Sequence, residues 1–574
     1  MRMSDLFKKE GAVKKKRLGF LCCLLWMGIA PVFSQEIIPG QLSGNLQSNA
    51  KFFLRDSLIG AANTPQYDHQ LYGAEAWLNL NYRVQGFDAG LRFDIFHQSN
   101  LLNPSDSYSA EGIGNWFVRK SIDKLDVHAG YIYDQIGSGI IFRAYEERAQ
   151  LIDNALVGLK LNYAIHPDWQ IRAFTGRQKQ QFDRYRAVIR GLALDGFLSG
   201  GTGRSAWSSA PGMGMVARTL DDLSMNNLVA TLNTYRSEDA FVPRYNAYAF
   251  TAFNTLTIGN ITWYAEGAYK SREALIDPYA QTVTGADTVV GERYVNQRGS
   301  VLYTTLSYSR NRLGLTLEAK RTEGFSFRTR PQEQLNRGMI HFLPPMSRVN
   351  TYRLTSRYNA ATQELGEWAF QGDMRLRPGN KWRININASH ITRLNRELLY
   401  GELYAEIQYK ANRRTTISGG IQRQQYNQEV YETKPGVGYV RTLTPFAEVL
   451  IKGKERGSWR AEAQYMHTGF DKSVDARQDY GNWMFALAEW NVTSAWTLSV
   501  SDMYNVAPGR NSPRDGSGNT RALHFPRADI FYRIHTNTFS LSYVKQVEGV
   551  VCTGGICRLE PAFSGVKFTI NSSF

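Results

Sequence analysis

The chain is written in alternation. From residue 74 onward Ala74, Ala76, Leu78, Leu80, Tyr82 and Val84 interleave with Glu75, Asn79, Asn81 and Arg83, and after Gln85-Gly86 the pattern resumes with Phe87, Ala89, Leu91, Phe93 and Ile95 against Asp88, Gly90, Arg92 and Asp94. The same period returns in Leu313, Leu315, Leu317 and Ala319 against Arg312, Thr316, Glu318 and Lys320. It recurs in Trp382, Ile384 and Ile386 against Arg383, Asn385 and Asn387, and in Leu403, Ala405, Ile407 and Tyr409 against Glu402, Glu406, Gln408 and Lys410. Successive side chains of a strand point to opposite faces, so period two predicts strands with one apolar and one polar face.

The punctuation alternates as well. Very short connections at Gln85-Gly86, 122–124, 166–168, 259–260, 311–312, 378–380, 453–457, 493–495 and 535–537 take turns with long polar ones near 56–70, 99–112, 134–151, 271–298, 322–361, 427–437 and 508–522. Short turns at one end and long loops at the other describe a transmembrane antiparallel up-and-down β-barrel, all-β, with an even strand number. Counting with that parity places strands near 41–55, 71–84, 87–98, 113–121, 124–133, 152–164, 169–176, 184–195, 226–236, 246–258, 261–271, 299–310, 313–323, 363–376, 381–391, 400–410, 414–425, 438–452, 458–470, 481–492, 495–506, 523–534, 538–547 and 562–574. That makes about 24 strands, within a range of 22 to 26, with 196–225 and 347–362 the least strand-like parts; no helical stretch is expected. A soluble sandwich alternates too, but closes on itself within roughly 100 residues and then needs a linker. No linker breaks this pattern.

The first 34 residues read differently. Lys14-Lys-Lys-Arg17 precedes an apolar run, Leu18 to Ala30, and then Pro31-Val-Phe-Ser34, the order of a signal peptide; the run is too short to cross a bilayer as a helix. Residues 35–574 would be the barrel, without a separate plug domain, since alternation begins at Gly40. Cys22 follows Leu21 and Cys23 follows Cys22, which does not suit lipidation. Taking the leader's 7 basic and 2 acidic residues from the chain's 67 and 51 leaves a net charge of +11. Those charges are spread over every strand and mixed in sign, so they line a lumen or face lipopolysaccharide, and nucleic acid is excluded as a partner. Mean hydropathy is −0.38 with 13% aromatic residues, so the apolar surface is used through alternation.

Several residues carry candidate roles. Cys552 and Cys557 remain after processing, lie by parity in the last outer loop, and are read as a disulfide in an oxidising compartment; no His or acidic residue lies close enough to complete a metal shell. The stretch Gly137, Ser138, Gly139, Arg143, Tyr145, Glu146, Glu147, Arg148 has too many charges to face lipid and is either a loop folded into the lumen or a surface loop held by its own ion pairs. No Lys-Ser/Thr follows the glycines, so it is not a phosphate loop. Gly565, Phe568, Ile570 and the terminal Phe574 have the order of a last-strand signal for the barrel-assembly machinery. His69 beside Asp68, with His97, His341, His390 and His467, could neighbour outer-rim acids, but scattered histidines do so by chance and no enzyme, cofactor or metal is expected. Asp56-Ser57-Leu58 and Asp287-Thr288-Val289 resemble O-glycosylation sites, though three-residue patterns fit loop composition equally.

Ile38-Pro-Gly-Gln-Leu-Ser-Gly-Asn45, the Gly137 to Arg148 stretch, Asp153-Asn154 and the terminal strand together resemble an uncharacterised family of outer-membrane barrels, a domain of unknown function from gliding-type Gram-negative bacteria. The resemblance implies an integral outer-membrane location among lipid and lipopolysaccharide, and lends no activity. Barrels of 16 to 18 strands already enclose an aqueous channel, so about 24 strands need filling by infolded loops, 134–151 and 322–361 being the candidates, or by a protein partner. Mixed lumen charges (Glu75, Arg83, Asp88, Arg92, Asp94, Glu266, Lys270, Glu318, Lys320, Arg383, Glu402, Glu406, Lys410, Arg460, Glu462) favour internal pairs over a one-sign ion filter. Two functions stay open: a channel or transport barrel restricted by infolded loops, and a non-conducting structural barrel in a secretion or motility assembly.

Overall fold

The computed structural model describes residues 40–101, 106–150, 152–284, 287–432, 438–453, 457–469, 481–509, 512–553 and 556–574; the leader reading lies outside them. Twenty-four antiparallel staves follow in chain order: β1 Gln41–Phe53, β2 Tyr72–Val84, β3 Phe87–Ser99, β4 Tyr108–Ile122, β5 Leu125–Ile132, β6 Leu156–His166, β7 Trp169–Gln180, β8 Val188–Gly196, β9 Trp207–Thr219, β10 Asn246–Ile258, β11 Ile261–Thr284 and β12 Asp287–Arg310. The second half holds β13 Leu313–Glu323, β14 Gly366–Leu376, β15 Trp382–Thr392, β16 Leu398–Lys410, β17 Thr415–Asn427, β18 Tyr439–Lys452, β19 Ser458–Thr468, β20 Gly481–Asn491, β21 Trp496–Pro508, β22 His524–Ile534, β23 Asn537–Gln546 and β24 Phe563–Ser573. Each pairs with its chain neighbours, and β24 pairs back onto β1 from Asn45↔Ser573 to Phe53↔Gly565, so the sheet closes and has no edge. Phe574 extends the seam, exchanging backbone hydrogen bonds with Gly44 at 2.9 and 3.0 Å.

The two faces of the wall differ as period two requires. Leu302, Leu317, Leu403, Ile407 and Val500 stand exposed on the outside, while Glu75, Arg92, Lys270, Lys320 and Glu402 are buried on the inside. The outer face is also zoned along its height. Trp263, Trp382, Trp459, Trp490 and Trp496, all exposed, sit within a few residues of short turns, and rings meet across strands there: Trp459 stacks on Trp490 at 4.8 Å, and Trp382 with Tyr409 and Trp496 with Tyr532 meet at a tilt, each at 4.4 Å.

Twenty-three of the predicted strands have a stave at their place; the one over 226–236 does not. That stretch is a helix, α1 Asp222–Leu232, capped by Asp221, whose carboxylate accepts from the Ser224 amide at 3.1 Å and its hydroxyl at 2.7 Å. Leu228 and Leu232, four apart, are its buried face. The missing stave is β9, in the Gly-, Ser- and Met-rich stretch. Midway along, its inward face carries no side chain at two successive positions: a Cβ on Gly214 would lie 2.6 Å from Ile136, and one on Gly212 2.3 Å from the Phe253 ring. The wall is thinned where the interior presses on it, and thinning erases the alternation.

A second difference concerns 271–298, expected as a loop. β11 and β12 continue through it as a hairpin of two 24-residue strands, bulged between Lys270/Glu273 and Asp277/Ala280. Its projecting part is covered by α1, through Leu228, Leu232 and Ala274, with Tyr235, Phe241 and Tyr294 packed alongside.

Candidate functional site: the filled lumen

Two connections from the long-loop end turn into the barrel. Segment A, residues 133–155, joins β5 to β6; segment B, residues 324–365, joins β13 to β14. Segment A is a pair of minimal hairpins, Asp134–Gln135 on Arg143–Ala144 and Glu146–Glu147 on Ile152–Asp153. At its tip Gly137 adopts φ +57, and a Cβ there would stand 2.7 Å from Glu266 Oε1, so glycine serves both the turn and the contact with the wall. Beside it the Ser138 amide donates to Glu266 Oε2 at 2.9 Å. The loop that leaves β5 thus touches β11.

Charged side chains of the wall hold segment A. Buried Arg92 donates to Asp94 at 2.6 Å, to both oxygens of Glu146 at 2.8 Å and to Asp153 at 3.1 Å; Lys179 meets Asp153 at 2.5 Å. Arg172 bonds Asp134 at 2.9 Å, and Lys160 bonds the same carboxylate at 2.8 Å. Arg148 bonds Glu146 at 2.9 Å and Gln47 at 2.7 Å. Arg143 lies over Tyr145 and Phe342 at 4.5 and 4.0 Å. Burial raises the Tyr145 hydroxyl to a pKa of about 12, so it stays neutral. Of the two readings left open for this stretch, the structure places it in the interior, and its ion pairs run mainly to the wall; Glu147 is exposed.

Segment B crosses further. Its first half folds as a hairpin in which Ile340 donates to Phe327 O at 3.0 Å and Thr329 to Gly338 O at 2.7 Å. It joins segment A through Arg143 N to Ile340 O at 2.9 Å and Phe342 N to Gly139 O at 3.0 Å. Ile136, Ile140, Ile141 and Phe142 of A and Phe325, Phe327, Ile340 and Leu343 of B form one apolar cluster with wall residues. Its second half runs to the other side, where Gln422 donates to Thr355 O at 3.0 Å, Gln424 to Tyr358 O at 3.0 Å, and Gln464 accepts from Leu354 N at 2.7 Å. A second apolar cluster, including Met346, Leu354 and Tyr358, reaches Ile59 and Tyr67 of the first long loop, whose Tyr67 hydroxyl bonds the backbone at Ala562 and Ser564 beside the seam. At the base of the first half, burial would raise the Glu364 carboxyl. The Arg328 guanidinium and His341 override this and hold it well below the usual carboxylate range.

The buried glutamines Gln178, Gln422, Gln424 and Gln464 were not singled out from sequence, yet they fasten segment B. Their signal was there in Gln422-Arg-Gln424, an amide pair at period two where a wall would otherwise carry water-facing charges. Of the expected lumen charges, Lys320 pairs with Glu367 at 2.9 Å, Arg460 with Glu448 at 2.8 Å and Glu462 at 2.5 Å, and Glu402 accepts from Gln422 at 2.6 Å.

The remaining candidates lie apart. Backbone register sets Cys552 opposite Cys557 in a hairpin between β23 and β24; their side chains lie outside the described residues. Gly565, Phe568 and Ile570 are in the closing strand, opposite Phe53, Ala50 and Ser48. Ser57 is exposed, with Asp56 paired to Lys545 at 2.6 Å, while the side chain of Thr288 lies outside the described residues. His341 is buried and used structurally, bonding Phe327 O at 2.8 Å; an unpredicted exposed pair, His524 and Asp502 at 2.6 Å, sits at the outer end of β21 and β22. Among the described residues no group of three or more His, Cys, Asp or Glu is placed to hold a metal ion.

No curated protein matches the chain. Among solved structures, the translocation pore of the P pilus usher PapC is similar at 10% identity and TM-score 0.41, covering 93% of this chain and 99% of that one. The siderophore receptor PirA from Pseudomonas aeruginosa follows at 9% and 0.38, covering 93% and 80%, and the ferric-catecholate import receptor Fiu from E. coli K12 at 10% and 0.35, covering 94% and 82%. At such TM-scores the backbones coincide too loosely for any property of those proteins to transfer. The model of a family of unknown function, DUF6029, matches residues 14–574, and the chain belongs to that family.

Proposed function

We propose that this protein is an integral barrel of the outer membrane of a gliding-type Gram-negative bacterium, inserted by the barrel-assembly machinery through its closing strand. In this reading it passes a solute or exported molecule through a lumen that segments A and B close at rest. The exposed apolar outer face, with its paired aromatics near the short turns, supports the membrane part, because aromatic girdles mark the interfaces of such barrels. One observation carries the closure: segment A spans the interior from Arg92 on β3 to Glu266 on β11. A catalytic role, a cofactor and nucleic acid have no part in this reading, and the Cys552–Cys557 cross-link belongs to it; peptide mapping without reductant reads that bond out.

A second reading, a non-conducting barrel that serves a partner protein, is favoured by the apolar cluster between A and B, which resists displacement more than ion pairs alone would. Planar-bilayer recording separates the two. The transport reading expects brief openings of the intact protein and steady large currents once 134–151 is deleted. An intact protein that stays silent under every condition, together with a deletion variant that is equally silent, overturns it.

A further inference from the structure

Between segment B and the wall, toward the short-turn end, lie two contiguous cavities of about 260 and 380 Å³ that share Arg348, Asp373, Arg375 and Asn387. Arg375 and Arg377 precede the 378–380 turn and Arg383 follows it, so the wall presents three guanidinium groups around one turn; segment B supplies the fourth. Against these four cations stand two carboxylates, Asp373 and Glu318.

The pairing leaves cationic capacity over. Asp373 is taken by Arg375, whose Nε donates at 3.0 Å, and Glu318 faces the Tyr303 hydroxyl at 3.4 Å. Among the described residues Arg383 finds only the neutral Gln408, at 3.3 Å. Arg348 donates one N–H to Asn350 at 2.7 Å, and its guanidinium lies 3.5 Å from the centre of the buried Tyr404 ring, which fixes the plane of the group. Among the described residues no carboxylate lies within ion-pair distance of Arg348, Arg377 or Arg383. A planar guanidinium with free N–H groups matches two oxygens of a carboxylate or phosphate, and fixing its plane beforehand lowers the entropy lost on binding.

We propose that these cavities form a binding site for a small oxyanionic solute, a phosphate or a carboxylate, held by Arg348 from segment B and, from the wall, by Arg383 and by the terminal nitrogens of Arg375, whose Nε alone is engaged by Asp373. Asn387 lines the same space and offers an amide donor to the remaining oxygens, while Asn385 beside it already donates to Glu406 at 3.2 Å. A ligand there bridges the infolded segment and the barrel, so its presence bears on how firmly segment B is seated. The site does not depend on the transport reading, since binding needs no conduction.

Equilibrium dialysis of the full chain in detergent, at constant ionic strength, tests it with two probes: inorganic phosphate and citrate. Saturable binding of at least one is expected at one equivalent per barrel, weakened about tenfold or more in R348Q and in the double variant R375Q/R383Q, and unchanged in R321Q. Preference for phosphate or for citrate tells which oxyanion source the site serves. R348K, which keeps the charge and loses the fork, should bind between the two, and R375Q/R383Q, at more exposed positions, covers the case in which R348Q does not fold. Absence of saturable binding of both probes to the folded protein, or wild-type binding by both R348Q and R375Q/R383Q, overturns the proposal. A bilayer result against transport leaves it standing.

Discussion

Arg92 shows what one side chain does in this interior. It is 3% exposed and meets Asp94, Glu146 and Asp153, so a single guanidinium ties its own stave to both strands of the second minimal hairpin of segment A. Burying such a cluster carries a large desolvation cost, which the pairing offsets; removing one partner leaves the cost in place. Replacing Arg92 with Gln should therefore loosen segment A by about 3–5 kcal/mol. Amide exchange across 134–155 should quicken by roughly a hundredfold or more, since each 1.4 kcal/mol is about tenfold. Exchange at the wild-type rate would mean that the apolar cluster, and not this cation, seats the segment.

At the scale of elements, segment B depends on its own hinge of charge. Arg328, His341 and Glu364 meet where the hairpin returns toward β14, and Arg328 also donates to Leu335 O and Arg337 O at 2.8 and 2.7 Å. Because the Glu364 carboxyl is held below its ordinary value, it contributes stability that is fully present above about pH 4.3 and is lost as pH falls toward its lowered value. An E364Q variant should melt below the wild type at pH 7, by an amount that reflects a charge-assisted bond of about 1.5–3 kcal/mol, and the gap should narrow below about pH 4. A gap that stays constant from pH 3 to pH 7 would show that ionisation of Glu364 does not matter.

Which elements were legible follows from what faces them. Where a stave meets water or polar chain on one side and apolar surroundings on the other, as in 74–95 or 403–410, the alternation is complete in the sequence and the boundaries fall within a few residues. β9 was illegible because Gly212 and Gly214 give up their side chains to Phe253 and Ile136, a demand set by residues far away in the chain. At 226–236 the signals are local: the Leu228–Leu232 spacing and the Asp221 cap favour a helix, whereas an even strand count that omits β9 asks for a strand there. Infolding of 134–151 and 322–361 could be argued from their charge and from strand number, but their anchors could not, because neutral glutamines and backbone carbonyls make no pattern of their own.

For the whole molecule, one wall serves two kinds of interior. Outside, large apolar side chains stand exposed; inside, two segments and the first long loop build apolar clusters of the sort a soluble domain carries, ringed by ion pairs to the staves. A closed sheet of this breadth without such filling would be a wide aqueous passage. All of it depends on the wall having a hydrocarbon side and a filled side, and site-directed spin labelling along β12 examines that most directly. In lipid vesicles, with C552S and C557S as background, labels at 301 to 306 should show collision rates with oxygen that peak at 302, 304 and 306 and fall at 301, 303 and 305, matching exposed Leu302 and Leu306 and buried Val301. A flat profile, or free access of a water-soluble relaxant to 302 and 306, would contradict the account.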